Sequence, residues 1–512
     1  MSVRQVLTSW LLPALAGIAS VALGLGAAEL AAALVAPMAS PVFVVGSLLI
    51  DLAPSWAKET AIALFGTGDK AALLTGIGLA LLVISAAAGV LQWRKPPLGR
   101  LLIAAGAIFG VGAAITRSGA AVLDAVPAAV AAIVAVIALG MLLRKAPEAR
   151  PASRASTASG DPTRRNFLGW AGGAAALGAL GAVAGTLLQS GARAATAVRD
   201  TFVLPKPAVA APAIPAGAEL GIAGLAPVIT PNKEFYRIDT ALQIPRIDPA
   251  AWSVKITGEV EKEIELTWDE LIALPLEESV TTLMCVSNEV GGDLIGNALW
   301  LGYPIREVLK RAKPKAGADM VLSRSIDGFT AGTPLSVLQE EDRNAIFAIG
   351  MNGEPLPEEH GFPVRMVVPG LYGYVSATKW VVELEVTRFD RASAYWTDRG
   401  WGEKGPVKTE SRIDVVRQDG DTVTVAGVAW HQHTGIEKVE LQVDDGPWNE
   451  AELADAISVD TWVQWRYRGD VGSGDHILRV RATDADRHTQ TENVAGVLPD
   501  GATGYHTVEV SL

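Results

Sequence analysis

The sequence predicts a multidomain chain: an α-helical membrane anchor of about five spans, then an α+β domain, then an immunoglobulin-like β-sandwich. Three observations lead there. Long apolar runs are confined to residues 1–199, a Pro/Ala-rich stretch follows, and beyond it short β-rich runs dominate, first mixed with helical ones and then alone. Charge divides the chain at the same place: of the 43 Lys and Arg and 55 Asp and Glu, 15 and 7 lie at or before Arg199. The net charge of -12 therefore hides a basic, apolar part and an acidic remainder. An acidic remainder excludes nucleic acid as a partner, because it repels phosphates instead of releasing their counterions.

Runs near 11–35, 71–92, 98–115, 120–143 and 167–188 approach the roughly 20 apolar residues that cross a bilayer core. The run 41–54 is shorter and reads as an interfacial or re-entrant segment. Lys and Arg concentrate in the loops WRKPPLGR and RKAPEARPASRASTASGDPTRR, which sets the N-terminus in the cytoplasm. An odd number of spans then places everything after about Arg193 outside the plasma membrane. Within the second basic loop, TRRNFLGW (163–170) has the form of a twin-arginine export signal; Arg164 and Arg165 also serve as positive-inside anchors. Small residues four apart, Gly169 with Gly173 and Gly181 with Gly185, predict close packing of the last span. Glu29, the one carboxylate well inside a span, lies near its outer end and reads as a packing or snorkelling group. None of the six histidines lies in this part, so it offers no axial haem ligand.

Residues 200–231 read as a semi-extended linker. In 232–395, WSVKITGEV and EIELT alternate like strands, WDELIALP opens a short helix, and MVLSRSI, AIFAIGMNG, PVRMVVPG and KWVVELEV are further strands. In 396–512, RIDVVRQ, TVTVAGVAW, KVELQVDDG, TWVQWRYRG, HILRVRATDA and YHTVEVSL are strands divided by polar turns, with VDDGPW a hairpin signal.

The stretch TTLMCVSNEVGGDLIGNALW (281–300) holds the single cysteine, Cys285. Alone, it forms no internal disulfide and reads either as a buried structural thiol or as a thiolate able to act as nucleophile or soft metal ligand. No His or second Cys lies near it in sequence, which argues against zinc. A cysteine hydrolase would need the fold to deliver His360. His431 and His433, two apart, would share one side of a strand as a metal pair or a solvated loop pair.

The segment CVSNEVGGDLIGNALWLGYPIREVL resembles the sulfite oxidase family of molybdopterin-binding oxidoreductases, in which the Cys opening a C-x-x-N stretch ligates molybdenum. NGEPLPEEHGFPVRMVVPGLYGYVSATKW (352–380) is similar to the same family, and VAGVAW, GIEKVELQVDDGPW and the Trp-rich strand resemble its dimerisation domain. The resemblance covers 235–512, and the anchor with its twin-arginine element looks like a membrane-bound bacterial branch. It implies a sulfite-oxidase-like fold for 232–395 and a molybdenum–molybdopterin cofactor with Cys285 as the metal ligand. It assigns His360, Arg365 and Lys379 to the pterin and its phosphate, which suits the pairing a buried phosphate needs. Phe235, Tyr236 and Asp239 fall in a cofactor-lining loop, Ser376 in the second motif, and Asn288 with Gly291 and Gly292 in the turn that carries the ligand. Arg237, Trp401 and Arg466 are the candidates facing substrate, and Trp300 is a pocket wall or a core residue.

Sulfite oxidases show an arginine shortly after the Asn, where this chain has Glu289 and Val290. The implied activity is two-electron oxygen-atom transfer on a small, sulfur-containing substrate, with a less cationic pocket favouring a neutral one. Neither C-x-x-C-H nor a cysteine cluster is present, so electrons exchange with a separate carrier. A homodimer through the last domain is what the family suggests. Two other readings stand beside this one: an S- or N-oxide reductase on the same scaffold, and a membrane-tethered adhesion or assembly module without metal.

Overall fold

The computed structural model describes residues 10–54, 57, 60, 64–65, 68–117, 120–146, 162–188, 198–420 and 422–512. Two compact units result: Met1–Arg193 with Ala241–Pro245, and Ala194–Thr240 with Arg246–Leu512.

The first unit contains α1 (Leu12–Val35), α2 (Pro41–Leu52), α3 (Asp69–Arg94), α4 (Leu98–Ile115), α5 (Val126–Lys145) and α6 (Pro162–Leu188). Among the described residues, five of its helices are long and apolar enough to cross a membrane; α2 is the short exception. Side chains of Thr163 and Arg164 in the twin-arginine element lie outside the described residues. Helix α1 is the hub, since a Cβ at its Gly17, Gly24 or Gly26 would run into backbone oxygens of Ser85 on α3, Ala131 on α5 and Gly178 on α6. Backbone approach of this kind is what small residues permit between apolar helices. Of the glycines expected to pack in α6, Gly181 and Gly185 do lie against α1, whereas Gly169 and Gly173 have open space beside them. Glu29 accepts a 2.5 Å hydrogen bond from Ser40 Oγ, a packing role.

In the second unit β1 (Ser253–Gly258) and β2 (Ile264–Thr267) pair antiparallel and lead into α7 (Trp268–Ile272). A capping box starts that helix: Thr267 Oγ1 accepts from Glu270 N–H while Glu270 Oε2 accepts from Thr267 N–H at 2.9 Å. Then come β3 (Glu277–Met284), β4 (Ile295–Pro304), α8 (Ile305–Ala312), β5 (Met320–Ser325), β6 (Thr330–Pro334), α9 (Leu335–Gln339), β7 (Ile346–Met351), β8 (Glu354–Pro355), β9 (Arg365–Val367), α10 (Gly373–Ser376) and β10 (Val381–Thr387). They form one sheet of order β2-β1-β10-β5-β6 and another of order β3-β4-β7-β8 with β9 on β7.

The remaining strands are β11 (Glu410–Asp419), β12 (Thr422–Trp430), β13 (Ile436–Val443), β14 (Trp448–Glu450), β15 (Glu452–Leu453), β16 (Val463–Gly469), β17 (Asp475–Asp484) and β18 (His506–Ser511). Two four-stranded sheets, β11-β12-β16-β15 and β14-β13-β17-β18, bury Val425, Leu441, Trp465 and Val480 in one shared core. The expected hairpin at Asp444–Gly446 joins β13 to β14, with Gln442 opposite Trp448.

Residues 204–231, expected as a semi-extended linker, lie along the second unit. Ala208 N donates to Leu276 O, Thr230 N to Asn297 O and Leu220 N to Gln464 Oε1, while Ala218, Leu225 and Val228 are buried. Pro and Ala favour an extended backbone, and here its amides find partners on the folded unit, making the segment a strap.

Candidate active site

Strand β3 ends at Met284 and the chain turns at once. Cys285 N donates to Leu294 O (2.9 Å), Asn288 N to Cys285 O (3.1 Å) and Gly292 N to Glu289 O (2.8 Å). Asn288 Oδ1 closes the loop by accepting from Leu294 N at 2.7 Å. Gly291 has φ 79, and a Cβ there would lie 2.2 Å from the His506 ring of β18. Gly291→Ala is therefore expected to lower the thermal unfolding midpoint by several degrees, for a cost of about 2 kcal/mol or more. An unchanged midpoint would show that this turn tolerates the displaced ring.

The turn presents the Cys285 thiol to a cleft of about 890 Å³, part of it open to solvent. Burial pushes the thiol up from its usual range, and hydrogen bonding from Ser287, whose N lies 3.4 Å from Sγ, opposes the shift. A thiol so placed stays protonated until a cation meets it.

One side of the cleft is cationic and deep. Arg365, at the start of β9, is only 5% exposed, stands 5.1 Å from the Trp300 ring and donates to the backbone oxygens of Met366 and His360 at 3.3 and 3.2 Å. No carboxylate pairs with it among the described residues, and burial pushes it down to about 10. Lys379 is 9% exposed and donates to Asp239 Oδ2 (2.9 Å) and Glu359 O (3.0 Å); burial lowers it to about 8 against the pull of Asp239. His360 lies between them, its Nε2 3.2 Å from Asn232 O. Burial first, then Arg365 and Lys379, lowers it to about 4, so it is neutral. Phe235 stacks on Tyr236 at 5.2 Å and meets Trp300 and His360 edge-on. A buried guanidinium answered only by carbonyls is a receptor short of its anion. Together with the thiol and the unbonded Ser325 Oγ in the same wall, it fits an anionic cofactor carrying a soft metal.

The other side is aromatic. Tyr374 and Trp401 approach at 5.9 Å, Trp396 and Trp401 at 6.2 Å, and Phe329 lines the same mouth with Asp327. Tyr374 Oη donates to Gly402 O at 2.7 Å, which ties α10 to the 396–402 loop.

Phe235, Tyr236, Asp239, Cys285, His360, Arg365, Lys379 and Trp401 are thus brought to one cleft. Five other candidates are placed differently. Arg237, its side chain 42% exposed, turns to Asp239 Oδ2 outside the lining. Arg466 on β16 forms a two-point pair with Glu452 at 2.8 and 2.7 Å, because β15 offers it a carboxylate directly opposite. Ser376 is spent on backbone, its Oγ donating to Tyr372 O at 2.9 Å, and Asn288 Oδ1 is taken by Leu294 N while its buried Nδ2 has no partner among the described residues. Trp300 is core, its Nε1 donating to Thr281 O, and backs Arg365 instead of facing substrate. Glu289 is exposed and, like Val290, outside the lining. The histidine pair separates: both follow the end of β12, with His431 bonded to Asp484 and His433 to Asp460. Glu340, Asp342 and His433 bring ligand atoms within 4.8 Å of one another, but Arg343 already donates to Glu340 at 2.6 Å.

Sequence reasoning missed Tyr374, Trp396, Ser325 and Asp327. Tyr374 sits within the 352–380 stretch that resembles the family, and the five-residue spacing of Trp396 and Trp401 is a usable signal. Ser325 and Asp327, at the β5–β6 turn, carried none.

A family profile described as an oxidoreductase molybdopterin binding domain matches residues 241–396. The chain is 28% identical to the mitochondrial sulfite oxidase of Drosophila melanogaster over 55% of its own length and 59% of that protein's. It thus spans about three-fifths of that relative. It is 30% identical to the uncharacterized oxidoreductase YuiH of Bacillus subtilis (strain 168), over 31% of this chain and 76% of that one. The sulfane dehydrogenase SoxCD structure from Paracoccus pantotrophus aligns with a TM-score of 0.49 at 20% identity, covering 56% of this chain and 82% of that one.

Proposed function

Because the chain belongs to the sulfite oxidase family of molybdopterin-binding oxidoreductases, we propose that it is a membrane-anchored, extracytoplasmic enzyme performing two-electron oxygen-atom transfer on a small, uncharged, sulfur-containing substrate. The carrying observation is the division of the cleft: a thiol and a carboxylate-free guanidinium on one side, an aromatic mouth on the other.

When bound, the molybdenum–molybdopterin cofactor supplies the redox and oxo-transfer chemistry. Cys285 would hold the metal as thiolate. Arg365 and Lys379 would hold the pterin phosphate, with neutral His360 as a hydrogen-bonding wall and Tyr236 and Phe235 as the apolar face against the pterin. Asp239 keeps Lys379 aimed by its 2.9 Å ion pair and holds Arg237 away from the cleft. Arg365 and Lys379, both assigned to the cofactor, are the only lysine or arginine among the described lining residues. A small dianion such as sulfite would find no further cation at the mouth and would face Asp327. Trp396, Trp401 and Tyr374 instead offer apolar surface, which excludes water and suits the alkyl groups of a neutral sulfur compound. Electrons would leave to a separate carrier. The five apolar helices support anchoring, and the Lys/Arg asymmetry supports an outside catalytic unit.

The purified full chain, loaded with cofactor, should turn over a neutral thioether or sulfoxide with kcat/KM at least about tenfold above that for sulfite. Trp401→Ala should raise KM for the neutral substrate by roughly tenfold with a smaller change in kcat, the pattern of lost ground-state binding. Preference for sulfite, unaffected by Trp401→Ala, would remove the neutral-substrate reading.

A further inference from the structure

Three of the buried side chains short of hydrogen-bond partners among the described residues lie where β11 and β12 of the sandwich meet the 370–376 segment. Glu410, the first residue of β11, is 3% exposed and neither carboxylate oxygen meets a donor among the described residues. Opposite it in the ladder stands Trp430, fully buried, whose Nε1–H has no acceptor. Tyr372 is 1% exposed, and its hydroxyl has no partner beyond the Lys408 backbone N–H among the described residues. Hydrogen bonds from Tyr372 N to Gly405 O and from Val407 N to Gly370 O lay residues 370–372 along 405–407, just before Glu410. The Tyr372 hydroxyl packs against Gly501, whose carbonyl accepts from Lys408 Nζ at 2.6 Å.

Interiors rarely leave such groups unmet, and polar pockets of this make-up are where folded proteins keep ordered water. Their position is not arbitrary. Gly373, next to Tyr372, lines the cleft, and a Cβ on it would lie 3.6 Å from the carbonyl of Met284, the residue before Cys285. Tyr372 is within electrostatic reach of both Glu410 and Cys285.

We propose that Tyr372, Glu410 and Trp430 enclose a water-holding chamber behind the cleft, and that Glu410 is the group through which it takes up and returns a proton. The proposal rests on reading the cleft as a site of oxygen-atom transfer. When water is the oxygen source, oxidising a substrate S to SO follows S + H2O → SO + 2 H⁺ + 2 e⁻. The electrons go to a separate redox carrier, and the protons need an ionisable acceptor. Glu410 takes the two protons one at a time, COO⁻ + H⁺ ⇌ COOH, through water and the Tyr372 hydroxyl, and returns each to bulk water before accepting the next. Two groups face it: Lys408 on the approach to its own strand, and Tyr372 across the chamber. Burial outweighs the pull of Lys408 and pushes Glu410 up to about 8, so below that pH it carries the proton and above it the group is an open acceptor.

The test uses the full cofactor-loaded chain and Glu410→Gln, which keeps size and shape. Infrared spectroscopy should show a protonated-carboxyl C=O band in the wild type that shifts in deuterated water, disappears with a midpoint near pH 8 and is missing in the variant. Above about pH 8, where Glu410 is ionised, turnover should fall roughly tenfold in Glu410→Gln, and the wild-type rise through pH 8 should be lost. Tyr372→Phe should weaken turnover in the same direction while keeping the band. If Glu410→Gln does not fold, the wild-type band and its deuterium shift decide alone. Absence of a titrating band between about pH 6 and pH 10, or full turnover in Glu410→Gln with an unaltered pH profile, overturns the proposal. A titrating band in a preparation that oxidises or reduces no sulfur substrate supports the chamber and overturns the oxygen-transfer reading instead.

Discussion

Cys285→Ser is expected to abolish molybdenum-dependent turnover while leaving the fold in place. The backbone bonds that shape the turn run through Cys285 N and O and through Asn288 Oδ1, none of which the substitution removes. Sulfur and hydroxyl differ little in volume, and the side chain sits at the cleft wall and not in the packed core. What changes is the ligand: a serine hydroxyl is a hard, weakly acidic donor where a soft thiolate is wanted. Loss of a partner outside the ligand shell already costs about 10–100-fold in a metal site. Loss of the ligand itself should therefore exceed 100-fold in activity and bring metal content towards zero. Elemental analysis, turnover and thermal unfolding of the same preparation check this. Stoichiometric molybdenum and undiminished turnover in the variant would return Cys285 to the status of a structural thiol.

Arg365→Met should separate stability from cofactor retention, moving them in opposite directions. In the wild type without cofactor, a 5% exposed guanidinium rests on carbonyls alone, and burial pushes it down to about 10. Replacing a buried, uncompensated charge by an apolar side chain of similar length is neutral or stabilising by about 1–3 kcal/mol. With the cofactor present the same change removes charge-assisted hydrogen bonds worth about 1.5–3 kcal/mol, or roughly 10–100-fold in retention. Melting curves with and without cofactor, set beside pterin content, report both quantities. Lower stability without cofactor and unchanged pterin content would make Arg365 a structural cation stacked on Trp300.

Local rules recovered most of the architecture. Five apolar helices stand where hydropathy placed them, because length and composition are properties of contiguous residues. The sandwich strands read from alternation are all present; only β14 and β15, of three and two residues, escaped, being too short to show a period. The Pro/Ala-rich segment reads as a semi-extended linker because composition reports backbone preference, and what that backbone lies against is decided by the fold.

The cleft divides along the same line. Cys285, His360, Arg365 and Lys379 were legible because each sits in a contiguous motif, and residue chemistry alone limits what a lone thiol near cations can do. Other assignments needed partners elsewhere along the chain: Arg466 is claimed by Glu452, and His431 and His433 by Asp484 and Asp460. The sequence by itself determined the order of the parts, the helical spans and strands, and which contiguous stretches carry the family's motifs. Only the tertiary structure decided which charges remain free to meet a ligand and that Glu410 is buried behind the cleft. The physical reason is range: periodicity and motif act over a few neighbouring residues, whereas desolvation and ion pairing depend on whatever the folded chain brings alongside.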